Sequence, residues 1–288
     1  MSRYLVITAG SPRGGEATWN SLYENVLNPL NADLAIATSK DYVDESLSLF
    51  KKAKYTWIFE DYENYFEYYS KNYSEKSIEY LNRGINTGLY ESGSIHFVFK
   101  DFILKNYLTI LDEYDFIIYT RFDQFYLTKH YKGIKGKILI PEGEDYFGIC
   151  DRHAVIPKEY IKKYLEICQY IDSDNVNNYH SEYLNCETTY MNQLKDNNLI
   201  DIVERVHRYQ FTSSLKKDKT NWRIGVYKIY GFKDIYTKYP DEFMDSFKNI
   251  ITFKKSYLIR LNKLLILNYF YLNLRRKLGS IKDIFNHR

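Results

Sequence analysis

Tyr114-Asp-Phe-Ile-Ile-Tyr-Thr-Arg-Phe-Asp-Gln124 is the stretch on which the fold turns. An acid is followed by four consecutive apolar positions, Phe116 to Tyr119, and then by the polar group Arg121 to Gln124. A short unbroken apolar run bounded by polar residues marks a strand buried on both faces, as in the middle of a parallel sheet. Toward the N-terminus, Tyr4-Leu-Val-Ile-Thr8 repeats the pattern and breaks at Ala9-Gly-Ser-Pro12. A helix capped at Thr18 or Asn20 is expected to run to about Leu27, with Pro29 stopping it. Asp33-Leu-Ala-Ile-Ala-Thr38 supplies the next strand. Strand, helix and strand within this length form a βαβ unit with parallel strands.

Outward from this frame, residues 41–110 read as mostly helical and Tyr-rich. Lys137–Ile140 and Tyr146–Ile149 read as short strands, 157–171 and 187–197 as helices, and 201–211 as a late strand. The chain is therefore expected to be α/β, with a mostly parallel sheet flanked by helices over residues 1–215 and a C-terminal extension over 216–288.

Composition narrows the classes. A 288-residue chain that is 45% hydrophobic and 27% charged is neither disordered, collagen-like nor a disulfide scaffold. Cys150, Cys168 and Cys186 are odd in number and widely spaced, which fits a reducing, cytoplasmic compartment better than a secreted one. The N-terminal apolar stretch is too short for a signal peptide, and no apolar run reaches membrane-spanning length. Charge is unevenly spread. Residues 252–288 hold nine Lys/Arg against Asp283 alone, a net +8, so the remainder carries −5. A basic, apolar helix over about 253–278 either packs on the domain or lies on an anionic membrane surface as a peripheral anchor. No nucleic-acid-binding motif accompanies it, so no nucleic-acid partner is expected.

Five segments carry candidate chemistry. Arg121 and Asp123 at the end of the central strand pair a guanidinium with a carboxylate, suited to a phosphate and its divalent metal, and equally to a structural ion pair. In an extended exit both would project to one side. Ala9-Gly10-Ser-Pro-Arg13-Gly-Gly15 offers close backbone approach and a cation, though it is neither a dinucleotide fingerprint nor a P-loop. Gly148-Ile-Cys-Asp151-Arg152 places Asp151 as a base or hydroxyl acceptor, or as half of a surface ion pair. Glu187 opens a helix, where an acid also complements the dipole. His207, in the late strand, is a metal ligand or simply structural.

Together these segments resemble a GT-A glycosyltransferase, most nearly the bacterial and large-virus enzymes that build capsule, lipopolysaccharide or capsid glycans. The resemblance spans roughly residues 4–211. It rests on Arg13-Gly14, Asn25-Val-Leu-Asn-Pro-Leu30, Asp33-Leu-Ala-Ile36, Tyr114 to Asp123, Gly148-Ile-Cys-Asp151-Arg152 and Glu187. Where the family usually has Asp-x-Asp, this chain has Arg-Phe-Asp-Gln, with Asp123 the single acid. The resemblance implies a nucleoside-diphosphate-sugar donor and a glycan acceptor. Ala9, Gly10 and Arg13 would contact the nucleotide, and Arg121 and Asp123 the diphosphate. Mn²⁺ or Mg²⁺ would sit on Asp123, with His207 as a late-strand ligand. Asp151 or Glu187 would deprotonate the acceptor if the reaction inverts. The alternative is a non-catalytic α/β binding or scaffold protein anchored by its tail.

Overall fold

Among the described residues the computed structural model holds the strands β1 (Tyr4–Ala9), β2 (Asp33–Ser39), β3 (Tyr55–Phe59), β4 (Phe116–Thr120), β5 (Gln124–Tyr126), β6 (Ile138–Pro141), β7 (Ala154–Pro157), β8 (Val203–Val206), β9 (Gln210–Leu215), β10 (Tyr227–Lys228) and β11 (Ile235–Thr237). The structure describes residues 2–84, 93–181, 183–216, 218, 227–229, 235–237, 239–253, 267–275, 277 and 278. Two units emerge. The first comprises Met1–Ser11, Leu27–Phe122 and Tyr131–Val206, and the second comprises Pro12–Val26, Asp123–His130 and His207–Arg288.

The first unit is built on a seven-stranded sheet of order β3-β2-β1-β4-β7-β6-β8. The strands β3, β2, β1 and β4 are mutually parallel, β7 runs antiparallel to β4 and β6, and β8 is parallel to β6. This is the mostly parallel α/β sheet expected from the apolar runs. Leu5, Val6 and Ile7 of β1 and Ile117 and Ile118 of β4 have no exposed surface, as strands covered on both faces require.

Its helices are α2 (Asn28–Leu30), α3 (Ser48–Lys52), α4 (Phe66–Asn72), α5 (Glu75–Asn82), α6 (Ser94–Leu111), α7 (Ile161–Leu165), α8 (Ile167–Ile171) and α9 (Cys186–Asp196); α1 (Gly15–Leu22) belongs to the second unit. The eighteen-residue α6 packs against α7 and α8, and its Tyr107 stacks on Trp57 of β3 with ring centroids 4.3 Å apart.

Three local expectations are corrected and one is refined. The stretch 41–110 is mostly helical among the described residues but also holds a strand. Tyr55–Phe59 is an edge strand that buries only Trp57 and Phe59, so its pattern is diluted by the exposed Thr56 and Ile58. Pro29 does not stop the first helical segment. It lies in the first turn of α2, where a missing N–H costs nothing, and Asn31 ends the turn at φ 47°. Tyr146–Ile149 is not a strand, because Tyr146 and Phe147 adopt φ 38° and 71°. The late strand is two strands, β8 and β9, which belong to different sheets.

The second unit holds an antiparallel sheet of order β10-β11-β9-β5, with α1 and α10 (Pro240–Phe253) against it. Phe211 is the centre of its core, stacked on Phe125 at 5.3 Å and edge-on to Phe243 at 5.2 Å. The buried pair Arg208–Glu242 is bolted to the sheet, where Glu242 accepts the Thr212 N–H at 2.6 Å. Residues 267–275, 277 and 278 are helical, and Asn268 and Leu272 are buried. Of the expected helix over 253–278, positions 254–266 and 276 lie outside the described residues, as does Gly279. No described helix is long and apolar enough to cross a membrane.

Candidate functional site

The first unit gathers Asp151 and Glu187, 36 residues apart in sequence, around Arg152. The start of α9 is fixed by a capping box. The Asn185 side chain accepts the Thr188 N–H at 2.8 Å, and the Thr188 hydroxyl accepts the Asn185 N–H at 2.9 Å. Glu187 therefore stands in the first turn. Its backbone carbonyl accepts the Ile149 N–H at 3.1 Å, which ties the 144–153 loop to the helix. Gly148 makes this approach possible, since a Cβ there would lie 2.1 Å from the Glu187 carbonyl. Asn185 Nδ2 adds a bond to the Tyr146 carbonyl at 2.9 Å.

Arg152 is shared among three carboxylates. Its nitrogens lie 3.2 Å from Glu144, 3.6 Å from Glu187 and 4.0 Å from Asp151. All are nearly buried, so the charges are not interchangeable. Burial and the neighbouring Asp151 push Glu187 up to about 8, against the pull of Arg152. Burial also disfavours the Asp151 anion, but the cations Lys100, Arg152 and Arg121 offset it and hold its carboxyl below the usual range. Burial, reinforced by Arg121, Lys100 and Arg152, lowers His96 to about 3, leaving it neutral at ordinary pH. Two neighbouring carboxylates with separated protonation ranges are the arrangement that divides proton exchange from charge stabilisation.

Beside Glu187, the loop turns outward. Phe147 is 74% exposed and stacks on Tyr183 at 4.6 Å, held there by left-handed backbone at Glu144, Tyr146 and Phe147. Sequence reasoning missed this pair, along with Glu144, His96 and Lys100.

Ala9 ends β1, and Gly10 follows at φ 107°. The Gly10 N–H donates to Ala37 at 3.0 Å, and its carbonyl accepts the Thr38 hydroxyl at 2.9 Å. Arg121 belongs to this unit and contributes charge to Asp151 and His96. The extended exit expected beyond it is absent. The backbone turns at Phe122 and Asp123, so the alternation argument for Arg121 and Asp123 does not apply.

In the second unit, Asp123 is buried with its carboxylate 3.9 Å from Arg13 Nη2. The Arg13 carbonyl accepts the Trp19 indole N–H at 3.1 Å, and buried Arg13 Nε has no hydrogen-bond partner among the described residues. Gly14, at φ 94°, donates its N–H to Asp218 at 3.1 Å. His207 lies between β8 and β9. Among the described residues no group of three or more His, Cys, Asp or Glu side chains could hold a metal ion. One carboxylate already facing a guanidinium at 3.9 Å does not by itself supply the donor set of a divalent cation.

No protein-family model matches the sequence, and no curated protein matches it. Among solved structures, apo mouse xyloside xylosyltransferase 1 is similar at 14% identity, covering 71% of this chain and 84% of that one, with a TM-score of 0.42. A likeness at that distance assigns neither activity nor substrate to this chain.

Proposed function

We propose that the chain is an inverting glycosyltransferase that moves a sugar from a nucleoside-diphosphate donor to a glycan hydroxyl, with Glu187 as general base. The observation that carries the reading is the nearly buried cluster of Glu144, Asp151 and Glu187 around the Arg152 guanidinium, in which burial and Asp151 push Glu187 up. The GT-A resemblance of the sequence motifs supports it. Ionised Glu187 takes the acceptor hydroxyl proton as the acceptor oxygen bonds to the anomeric carbon and the bond to the diphosphate oxygen breaks. Asp151 remains an anion and stabilises the positive charge of its surroundings. Arg121 is proposed to offset the charge of the departing diphosphate, and Ala9 and Gly10 to receive the nucleotide with their backbone. The Phe147–Tyr183 stack offers a flat apolar surface to the C–H face of an acceptor sugar.

The test is a screen of sugar nucleotides and simple glycosides for nucleoside-diphosphate release that depends on acceptor. Acceptor-dependent release lost in Glu187→Gln supports the reading. Silence across donors, with no thermal shift by any nucleotide, favours a non-catalytic binding protein.

We further propose that the tail seats the protein peripherally on an anionic membrane surface. Leu267, Phe270, Leu274 and Leu278 are all exposed and follow helical spacing along one face, with exposed Arg275 and Lys277 beside them. The opposite side buries Asn268 and Leu272. Packing and presentation are thus divided between two faces of one helix, and the net charge of +8 over 252–288 matches acidic headgroups.

A further inference from the structure

The loop that carries Asp151 holds an aromatic ring in solvent at a conformational cost. Glu144, Tyr146 and Phe147 adopt φ 57°, 38° and 71°, the left-handed region that residues with a Cβ disfavour. The ring is not buried in return. Among the described residues Phe147 is the most exposed large apolar side chain, and Tyr146 and Tyr183 are exposed as well. Strain of this kind persists only where the surroundings impose it, and it gathers at ligand-binding segments. Here the surroundings are well defined. Asp145 accepts the Cys150 N–H at 3.0 Å and pairs with Arg205 at 2.8 Å. The Asn185 amide donates to the Tyr146 carbonyl at 2.9 Å, and the Ile149 N–H to the Glu187 carbonyl at 3.1 Å.

What this frame presents is a ring face with a polar border. Phe147 and Tyr183 stack with centroids 4.6 Å apart and planes 25° apart. Tyr183 covers one face of Phe147, and an exposure of 74% leaves the other open to a ligand. On the adjoining residue, the Tyr146 hydroxyl donates to Glu144 at 2.6 Å. Glu144 pairs with Arg152 at 3.2 Å, and Arg152 reaches Glu187 at 3.6 Å. The Arg152 guanidinium also lies 5.7 Å from the Tyr146 ring centroid. An apolar face bordered by fixed hydrogen-bonding groups suits a ligand that is itself two-sided. A pyranose is such a ligand. Its axial C–H bonds carry slight positive charge and meet the negative face of an aromatic ring, while its hydroxyls radiate toward the border. Other occupants fit less well. A few aromatic rings fall short of the roughly 800 Å² per partner of a stable protein interface. Three carboxylates around one guanidinium oppose an anionic headgroup.

We propose that Tyr146, Phe147 and Tyr183 form a sugar subsite that selects pyranosides with an unbroken axial C–H face, such as β-linked glucose, over those with an axial oxygen on each face, such as α-linked mannose. The proposal rests on the transferase reading for its role beside Glu187, and deepens that reading by naming the class of acceptor. A β-glucopyranoside holds its substituents equatorially and leaves both faces bare, and a β-galactopyranoside leaves one. In an α-mannopyranoside the axial O1 stands on one face and the axial O2 on the other, so either approach lifts the sugar off the ring. The strained loop contributes by fixing the ring in advance, which leaves less freedom to lose on binding.

The experiment is saturation-transfer NMR on the intact protein, without donor or turnover. The probes are β-linked trisaccharides of glucose, galactose and xylose, with α-linked mannotriose as the comparison. At least one β-linked probe should bind, with saturation strongest at the C–H protons of one sugar face. Mannotriose should bind about tenfold more weakly or worse. Phe147→Leu keeps an apolar side chain and removes the ring face, and Phe147→Gly also relieves the left-handed backbone. Both should melt close to the wild type, since the ring lies in solvent, and both should lose about tenfold or more in affinity for the bound probe. Binding by none of the β-linked probes overturns the proposal, as does equal binding of mannotriose. Undiminished affinity in the two folded variants overturns it too. If binding depends on Phe147 but no sugar transfer is found with any donor, the subsite stands and the transferase reading fails. Transfer lost in Glu187→Gln, with acceptor KM unchanged in Phe147→Leu, has the opposite meaning.

Discussion

Arg152 Nη2 lies 3.6 Å from Glu187 Oε1, and the same guanidinium also faces Glu144 at 3.2 Å and Asp151 at 4.0 Å. One such cation cannot neutralise three buried carboxylates, so the cluster does best with one of them protonated. Lys100 and its companions lower Asp151, and burial beside Asp151 raises Glu187, so Glu187 is the acid proposed to hold the proton. The expected outcomes below follow from that division.

Stability should record it directly. Glu187 titrates near 8 in the folded protein and near 4.5 when exposed, so between those values the native state holds a proton that the unfolded chain releases. Native stability therefore falls as pH rises through this window, with an effect on the order of a few kcal/mol. Glu187→Gln lacks the linkage. Its Tm relative to wild type should be higher at pH 8.5 than at pH 5, read by calorimetry; an equal difference at both pH values contradicts the assigned protonation.

Gly148→Ala tests the loop that carries Asp151 and Arg152. The new Cβ would meet the Glu187 backbone at 2.1 Å, with no flexible side chain there to yield. The expected cost exceeds about 3 kcal/mol, as for other steric insertions into packed backbone. Chemical denaturation measures it, and a loss under about 1 kcal/mol means the loop does not rest on α9 as described.

Arg13→Ala should weaken binding of UDP, GDP or ADP, whichever the protein takes, by roughly 10- to 100-fold, the worth of a hydrogen bond to a charged group. Buried Arg13 Nε, with no hydrogen-bond partner among the described residues, and Nη2, 3.9 Å from Asp123, motivate the choice. Unchanged nucleotide affinity by calorimetry in Arg13→Ala removes this loop from nucleotide binding.

The tail makes a separate prediction. Phe270→Glu with Leu274→Glu alters two exposed side chains and should leave the melting temperature unchanged. Co-sedimentation with phosphatidylglycerol vesicles should occur in the wild type, weaken with salt and fall at least tenfold in the variant. Equal binding to phosphatidylcholine vesicles, or none to either, contradicts the membrane role.

Much of the first unit was legible because β1, β2 and β4 are buried on both faces, which leaves an apolar run with no other explanation. The edge strand β3 alternates over five residues inside a Tyr-rich region and did not stand out. The second sheet was hidden because β8 and β9 are separated only by His207 to Tyr209, with no Gly or Pro to mark the change. Glu187 could be read from its place at a helix start, although an acid there is equally explained by dipole complementarity alone. Lys100 could not be read at all. A single base in Phe97-Val-Phe-Lys-Asp101 looks like the wet face of a helix, and its partners Tyr119 and Tyr190 come from β4 and α9. The turned-out loop at Tyr146 and Phe147 was misread for a related reason: apolar side chains suggested burial where left-handed backbone exposes them.

The central claim, that Glu187 is the proton acceptor and Asp151 the fixed anion, is tested most directly by the pH dependence of kcat/KM for acceptor-dependent nucleoside-diphosphate release. The wild type should gain activity with pH along an acid limb near 8. Glu187→Gln should lose about 10²- to 10⁴-fold and show no such limb. Asp151→Asn, which removes the negative neighbour, should retain the limb and move it to lower pH. A Glu187→Gln enzyme within tenfold of wild type and with the same limb would contradict the account.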